Sequence, residues 1–169
     1  MVTEVFKEKS PLSARDSFIL FERVKSSFTF PVHVHNVWEL NLVENAKGAH
    51  RIVGDSEEVI GEKDLVLIAN TDLKHAWTNG ECCSSEIHEI TIQFDPALFQ
   101  SVAFQKRQFD PIQKMLTKAE CGLAFGLADI NRVLPLMRMI TAEKGFYSVV
   151  KFFILDFQRF DTTIRGINI

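Results

Sequence analysis

The chain has 169 residues, of which 46% are hydrophobic and 24% are charged, and its net charge is −3. This length allows one well-buried core, and the slightly acidic balance argues against a surface devoted to nucleic acid. The N-terminus lacks an apolar signal core, and no stretch approaches the roughly 20 apolar residues of a membrane span. The three cysteines form neither a C-x-x-C pair nor a disulfide framework. We therefore expect a cytoplasmic protein with no membrane partner.

Short strands separated by turns are predicted from about residue 17 to residue 94. Gly54-Asp55-Ser56 is typical of a tight hairpin, because glycine and aspartate tolerate the positive φ that such turns require. The predicted strands cover residues 18–21, 38–43, 50–53, 58–60, 65–68 and 87–94. This regular spacing favours a sandwich or barrel over β-α-β units.

Helices are predicted after Phe94, where Asp-Pro pairs at 95–96 and 110–111 indicate helix starts. The predicted helices cover residues 96–103, 110–118, 128–143 and 146–160. Pro135 should kink or interrupt the third of them, because proline lacks an amide donor and clashes with the preceding turn. The chain is thus predicted to be mainly β with a C-terminal α region, divided into residues 1–95 and 96–169.

The last predicted helix carries an apolar seam with spacings of four and three residues. The seam consists of Phe146, Val150, Phe153, Phe157, Phe160 and Ile164. Further apolar residues lie off this seam, so one face could pack on the β region while another meets a second subunit. A homodimer and a helix buried within its own monomer are both consistent with this pattern.

Polar side chains of matching parity stand out in the β region. His33, His35 and Glu39 would point to one side of a continuous strand, since strand residues alternate between faces. Hydrophobicity alone would turn this face outward, because the opposite face is the apolar one. However, His75 near a later strand and His88 on the last strand repeat the pattern. This recurrence favours histidines that converge inside the β unit.

The order of these motifs resembles the two motifs of cupins and, more narrowly, the N-terminal effector domain of AraC-type transcription regulators. The matching segments are Pro31 to Leu40, Gly54-Asp55, Lys63 to Ile68, Lys74 to Trp77 and Gln93-Phe94. Lys63 and Lys74 depart from the glycine and proline that are usual at these positions. The resemblance implies a cupin-type barrel (double-stranded β-helix, or jelly-roll) followed by helices.

The resemblance also implies a function, which is that of a small-molecule-sensing and dimerisation domain without enzymatic activity. DNA would be bound only through a helix-turn-helix part that this chain does not contain, so we expect an excised domain rather than a freestanding relative. Trp38 or Trp77 could stack on the effector, although the apolar-face parity of Trp38 favours core packing. The implied ligand-binding residues are His33, His35, Glu39, His75, Trp77 and His88.

The alternative hypothesis is a metal-dependent cupin enzyme, such as a dioxygenase or isomerase. His33, His35, Glu39 and His75 correspond to the complete family ligand set, and they suit Fe, Mn or Ni with open positions better than closed tetrahedral Zn. Four ionisable groups that converge inside a barrel must be hydrated, paired or bound to a metal, because an isolated buried charge is costly. Both hypotheses are therefore compatible with the motif.

Overall fold

The computed structural model describes residues 5–145, 147–149, 151–152 and 165–166. The protein is mainly β, with two sheets rich in antiparallel pairs, followed by helices. Two sheets with a shared apolar core are consistent with a β-sandwich. The predicted fold class is therefore confirmed at the level of a mainly β protein with C-terminal helices.

The first sheet has five strands among the described residues, numbered here in chain order. They lie in the spatial order β1 (Phe6–Glu8), β3 (His33–His35), β8 (His75–Thr78), β5 (His50–Val53) and β6 (Ser56–Val59). β1 pairs with β3 in parallel, and the other neighbours are antiparallel. The predicted hairpin is confirmed between β5 and β6, where Gly54 has a φ of +60° as the first central residue of a tight turn requires.

The second sheet has six strands in the described part of the chain. Their spatial order is β11 (Arg165–Gly166), β10 (Leu123–Ala124), β7 (Lys63–Ile68), β4 (Trp38–Glu44), β9 (Ile87–Phe94) and β2 (Phe18–Lys25). All of its pairs are antiparallel. β2 runs four residues beyond the predicted strand end at Phe21 and ends at Lys25.

The helices agree with the predicted positions, but their lengths differ. They comprise α1 (Ala97–Gln100), two 3₁₀ turns (Val102–Gln105 and Arg107–Phe109), α2 (Asp110–Ala119) and α3 (Leu127–Thr141). The predicted interruption at Pro135 is wrong, because α3 continues through this exposed residue, held by the burial of Val133, Met137 and Ile140. No helix in the described ranges is both long and apolar enough to cross a membrane.

The helix predicted over 146–160 lies mostly outside the described residues. Residues 147–149 and 151–152 are helical, but most of the apolar seam, including Phe146, Val150 and Phe153, is not described. The expectation of a homodimer through this seam therefore stays a prediction.

One apolar core packs on each face of the six-stranded sheet. The outer core joins that sheet to the helices, and its members include Leu42, Ile92 and Phe94. The inner core lies between the sheets and includes Val66 and Trp77. Because both faces of the central strands are covered, residues of either parity are buried, and the polar row described next lies inside the protein.

Candidate functional site

A row of polar side chains follows the inner face of β4 and β9. Glu39 lies opposite Gln93, and Asn41 lies opposite Thr91, in antiparallel register. Each of these four side chains belongs to a residue that is at most 5% exposed. Their apolar neighbours on the same strands point to the helices, because strand residues alternate between faces. The polar row is therefore the floor of an interior site.

Three histidines from the facing sheet meet above this floor. His33 and His35 lie on β3, and His75 lies on the adjacent β8, directly opposite His33. One ring nitrogen from each lies within 4.8 Å of the other two, and all three residues are buried. The ring centroids of His33 and His75 are 4.3 Å apart, and those of His35 and His75 are 4.8 Å apart. The predicted convergence of His33, His35 and His75 is confirmed by this geometry.

Each imidazole ring is oriented by the backbone of its own segment. In all three, Nδ1 lies 2.9 Å from a carbonyl oxygen two residues away in the chain, and it donates its proton there. The acceptors are the carbonyls of Pro31 for His33, Val37 for His35 and Leu73 for His75. This arrangement leaves Nε2 as the nitrogen that faces the cluster. Hydrogen bonds of this kind set the tautomer and orientation of metal-binding histidines.

Glu39 contacts two of the three imidazoles. Its Oε2 lies 3.0 Å from Nε2 of His35, and its Oε1 lies 3.9 Å from Nε2 of His75. Gln93 donates a hydrogen bond of 3.0 Å to Oε2, and Ser10 in turn donates one of 2.7 Å to Gln93. Burial raises the pKa of Glu39, but the hydrogen bond from His35 and the nearby histidines outweigh it and lower this pKa to about 2. Glu39 is therefore a carboxylate.

The histidines differ in how they hold protons. Burial opposes a charge on His35, but its hydrogen bond to Glu39 and the attraction of that carboxylate raise the pKa of His35 above its ordinary value. Burial lowers the pKa of His75 to about 4, against the attraction of Glu39. In the absence of a metal, a proton on His35 therefore balances the buried carboxylate, while His75 is neutral.

One observation indicates that the cluster could hold a divalent metal. Nε2 of His75 is buried and has no hydrogen-bond partner among the described residues. Neutral imidazole with a free lone pair is a good ligand for Zn, Cu, Fe and Ni. A cation among the three Nε2 atoms would occupy this lone pair and would replace the proton on His35. The buried triad of His33, His35 and His75 could therefore hold a metal, with Glu39 beside it.

A cavity of about 250 Å³ opens next to the histidines, between the two sheets. His33 and Glu39 form part of its wall, so the cluster and the cavity are contiguous. The other lining residues combine aromatic rings with polar groups. They are Glu8, Phe21, Arg23, Lys25, Phe28, Thr29, Phe30, Asn41, Ala76, Trp77, Glu89, Thr91 and Gln93. Mixed apolar and polar linings of this kind are typical of small-molecule sites.

The extension of β2 brings two cations to this cavity. Lys25 donates a hydrogen bond of 2.8 Å to Glu89 and lies over the ring of Phe28, 4.6 Å from its centroid. Arg23 lies over the ring of Phe21, 4.5 Å from its centroid, and is 3.7 Å from Glu89. This cationic end is separated from the histidines by the Asn41–Thr91 row.

The two tryptophans lie on opposite sides of the six-stranded sheet. Trp77 lines the cavity, and its indole N–H donates a hydrogen bond of 3.1 Å to the buried Asp64. Trp38 instead stacks on Phe99 in the outer core, with ring centroids 6.1 Å apart. The core-packing interpretation of Trp38 is therefore confirmed, and Trp77 is the tryptophan available to a ligand.

His88 is not brought to the cavity. It lies on the outer face of β9, where its ring is 3.0 Å from Glu22 and 3.4 Å from Glu44. The prediction of convergence was wrong for this residue, because His88 has the parity of Ile90 and Ile92. The same alternation, applied to β9 alone, would have separated His88 from the cluster.

Sequence reasoning missed several residues of the cavity. Arg23 and Lys25 were overlooked because the predicted strand ended at Phe21, although the alternation Phe21-x-Arg23-x-Lys25 continues its inward face. Glu8 on β1 lies 3.6 Å from Nε2 of His33, and no local pattern marks it. Asn41 has the parity of Glu39, and this parity alone could have nominated it.

The chain matches no protein-family model, and a search of curated proteins finds no match either. The resemblance to cupin-type effector domains is thus carried by its motif residues alone.

Proposed function

We propose that this chain is the small-molecule-sensing and dimerisation domain of an AraC-type transcription regulator, built on a cupin-type barrel. The observation that carries this proposal is the cavity between the sheets, lined by Trp77, three phenylalanines and a row of buried polar groups. The interior between two packed sheets is normally apolar, because burying polar groups costs free energy unless they are paired or bind something. DNA contact would come from a helix-turn-helix part of the regulator.

A route from the cavity to the helices supports a sensing role. β4 and β9 contribute alternate residues to the cavity floor and to the outer core. Glu44, at the end of β4, accepts hydrogen bonds of 3.0 and 3.2 Å from Arg138 on α3. A ligand that favours one position of these strands would shift the helices with them, provided that it binds the two arrangements with different affinity. The helices would pass this shift to a dimer interface.

The two tryptophans offer a direct experiment. In Trp38→Phe the remaining fluorescence reports the cavity, and in Trp77→Phe it reports the outer core. We expect that a screen of polar metabolites finds a compound that saturably changes the emission of Trp77 in Trp38→Phe. The same compound should change the emission of Trp38 in Trp77→Phe. The same compound should change the dimerisation constant in sedimentation equilibrium. Binding that leaves both Trp38 emission and the dimerisation constant unchanged would contradict a sensing role.

A metal-dependent cupin enzyme is the second candidate, and the backbone-anchored histidines favour it. Three ring nitrogens within 4.8 Å of one another, with a carboxylate beside them, could hold a divalent ion that keeps open positions for a substrate. The ion would supply Lewis-acid or redox chemistry, while the chain would orient the substrate along the cavity. Fe, Mn and Ni fit this donor set better than Zn in a closed site.

Elemental analysis after dialysis tests the metal site. We expect stoichiometric metal in the wild-type protein and none in His33→Ala. His50→Ala is the matched control, because His50 lies on the same sheet, half-buried, and pairs with Glu57 at 2.6 Å outside the cluster. Equal metal contents in both variants would contradict the site. Turnover of a bound compound by the metal-loaded protein would then favour the enzyme over the sensor.

A further inference from the structure

Arg23 brings uncommitted hydrogen-bond donors to the cavity. Lys25 is already committed to Glu89, with which it forms a hydrogen bond of 2.8 Å. The guanidinium of Arg23 makes no hydrogen bond to any described residue, and its side chain is 49% exposed. Its plane is supported by the ring of Phe21. A stacked guanidinium with free donors matches the planar, bidentate geometry of a carboxylate.

Asn41 contributes an acceptor without a partner. Its Nδ2 is surrounded by oxygen acceptors: Thr91 Oγ1 at 3.1 Å, and carboxylate oxygens of Glu39 and Glu89 at 3.5 Å. This environment fixes the amide orientation, because a flipped amide would turn its oxygen toward two carboxylates. Oδ1 is then buried and has no hydrogen bond among the described residues. A buried carbonyl of this kind requires a donor, which a hydroxyl or amino group can supply.

The two groups are within reach of one small molecule. Arg23 lies opposite Glu89 and Asn41 lies opposite Thr91, so the two rows are two residues apart along β9. This corresponds to about 7 Å along the strand and about 10 Å across two strand spacings. The long arginine side chain spans much of that distance, and both residues line the same cavity.

We propose that the cavity binds a small carboxylic acid that carries a hydroxyl or amino group. Arg23 binds the carboxylate, and Asn41 Oδ1 accepts a hydrogen bond from the second group. This inference rests on the proposed function, since it names the class of ligand for the sensing cavity. It does not depend on a metal at the histidines.

The charged groups of the cavity are distributed unevenly between its two ends. Glu39 is paired with His35, and Glu89 is paired with Lys25. Glu8 is close only to His33, at 3.6 Å, among the contacts of its carboxylate in the described residues. At the Arg23 end, Glu89 is shared by Lys25 at 2.8 Å and Arg23 at 3.7 Å, so an acid would find guanidinium donors there, while an amine would find a carboxylate already paired with two cations. Glu8 lies at the other end of the cavity, beside His33.

Matched compounds test the proposal on the intact chain. The probes are mandelate, phenylacetate, mandelamide and 2-phenylethylamine, together with the aliphatic set of 2-hydroxybutyrate, butyrate, 2-hydroxybutyramide and butylamine. Affinities are measured by calorimetry at constant ionic strength. In at least one set we expect the hydroxy acid to bind about tenfold or more tightly than its amide, because a charge-assisted hydrogen bond is lost in the amide. The deoxy acid should also bind more weakly.

Two variants test whether Arg23 binds the carboxylate and Asn41 binds the hydroxyl group. Arg23→Gln should remove the preference for acid over amide, and the matched control Arg15→Gln, at an exposed arginine outside the cavity lining, should keep it. Asn41→Leu should remove the preference for hydroxy acid over deoxy acid and keep the preference for acid over amide. Circular dichroism checks that both variants fold, and Arg23 is exposed enough that its loss should leave the fold intact.

The outcomes separate this inference from the proposed function. Amides or amines that bind as tightly as the acids would overturn the acid proposal and leave a small-molecule cavity in place. An acid preference that persists in Arg23→Gln would also overturn it. Failure of every probe of every class to bind would count against the sensing cavity itself, and with it against this inference.

Discussion

In residues 39–42 of β4 and 90–94 of β9, the two faces are equally buried but chemically opposite. On the outer face, Leu42, Ile92 and Phe94 pack against the helices without a polar group between them. On the inner face, Glu39, Asn41 and Thr91 are buried to the same degree. The difference therefore cannot come from exposure to solvent. It comes from what each face contacts, which is a helical layer on one side and a cavity on the other.

The two faces contribute differently to the stability of the fold. Apolar burial stabilises a protein by about 25 cal/mol per Å² removed from water. Buried polar groups contribute far less net stability, because they exchange hydrogen bonds with water for hydrogen bonds within the protein. Two atoms, Asn41 Oδ1 and His75 Nε2, lack even such a partner among the described residues. The outer face thus stabilises the fold, and the inner face is arranged for binding.

Removal of an outer-face ring should have the largest effect. Phe94 is 1% exposed and contacts the rings of Trp38 and Phe99. We expect Phe94→Ala to lower the free energy of unfolding by about 3–5 kcal/mol in urea denaturation, through lost burial and a cavity. The control Phe6→Ala, at a residue that is 48% exposed, should cost much less. Similar costs for both would contradict the assignment of the outer core.

Acid should destabilise the metal-free protein through the inner face. The unfolded chain protonates His75 near pH 6.5, while the folded protein resists until about pH 4. The unfolded state therefore binds more protons in this window, and stability should fall by about 3 kcal/mol as pH decreases across it. Glu39 adds a further loss below pH 4.5, toward its pKa of about 2. The contribution of His35, whose pKa is raised, is fully present below pH 6.5 and is lost at higher pH.

Urea denaturation with a chelator, repeated across this pH range, measures the effect. His75→Gln should flatten the curve between pH 6.5 and about 4, because the glutamine does not titrate. A wild-type curve that is already flat in this window would show that His75 protonates normally in the folded state.

Metal should stabilise the inner face selectively. A divalent ion that binds only the folded state adds about 2.7 kcal/mol when its free concentration is one hundred times its dissociation constant. We expect Ni or Mn to raise the melting temperature of the wild-type protein and of His50→Ala, but not of His33→Ala. A chelator should reverse the change. Equal stabilisation of His33→Ala would show that the metal binds outside the histidine cluster.

The smallest expected effect concerns Asn41, whose amide oxygen has no hydrogen-bond partner among the described residues. Asn41→Leu replaces a buried group with one unmade hydrogen bond by an apolar side chain of similar size. The substitution also removes the Nδ2 hydrogen bond to Thr91, so we expect the free energy of unfolding to fall by about 1 kcal/mol, the typical contribution of one hydrogen bond. A loss as large as that of Phe94→Ala would show that Asn41 holds the fold together and is not reserved for a ligand.

Much of the fold could be predicted from local sequence patterns. Strand alternation and turn residues predicted most of the strands, and the Asp-Pro pairs predicted two helix starts. Pro135 misled the prediction, because its local cost is outweighed by the burial of its helix neighbours Val133 and Met137. Packing of this kind depends on residues far apart in the chain, and no local pattern records it.

The site was predictable only in part. Parity and recurrence brought His33, His35 and His75 together correctly, although hydrophobicity alone would have turned them outward. That rule failed because the prediction of one continuous strand from His33 through Glu39 was wrong: β3 and β4 belong to different sheets, and the apolar residues of β4 face the helices. Glu8 joins the site through the pairing of β1 with β3, and such a pairing leaves no mark in either segment.

The alternation of faces along β4 also makes the chain sensitive to insertions and deletions. A shift of one residue in its pairing with β9 would place Glu39 and Asn41 among the phenylalanines and turn Leu40 and Leu42 into the cavity. Both compartments would be disrupted at once, so incorrect registers are strongly disfavoured during folding. A single-residue deletion between His35 and Trp38 should therefore be far more damaging than one in the exposed turn at Lys47.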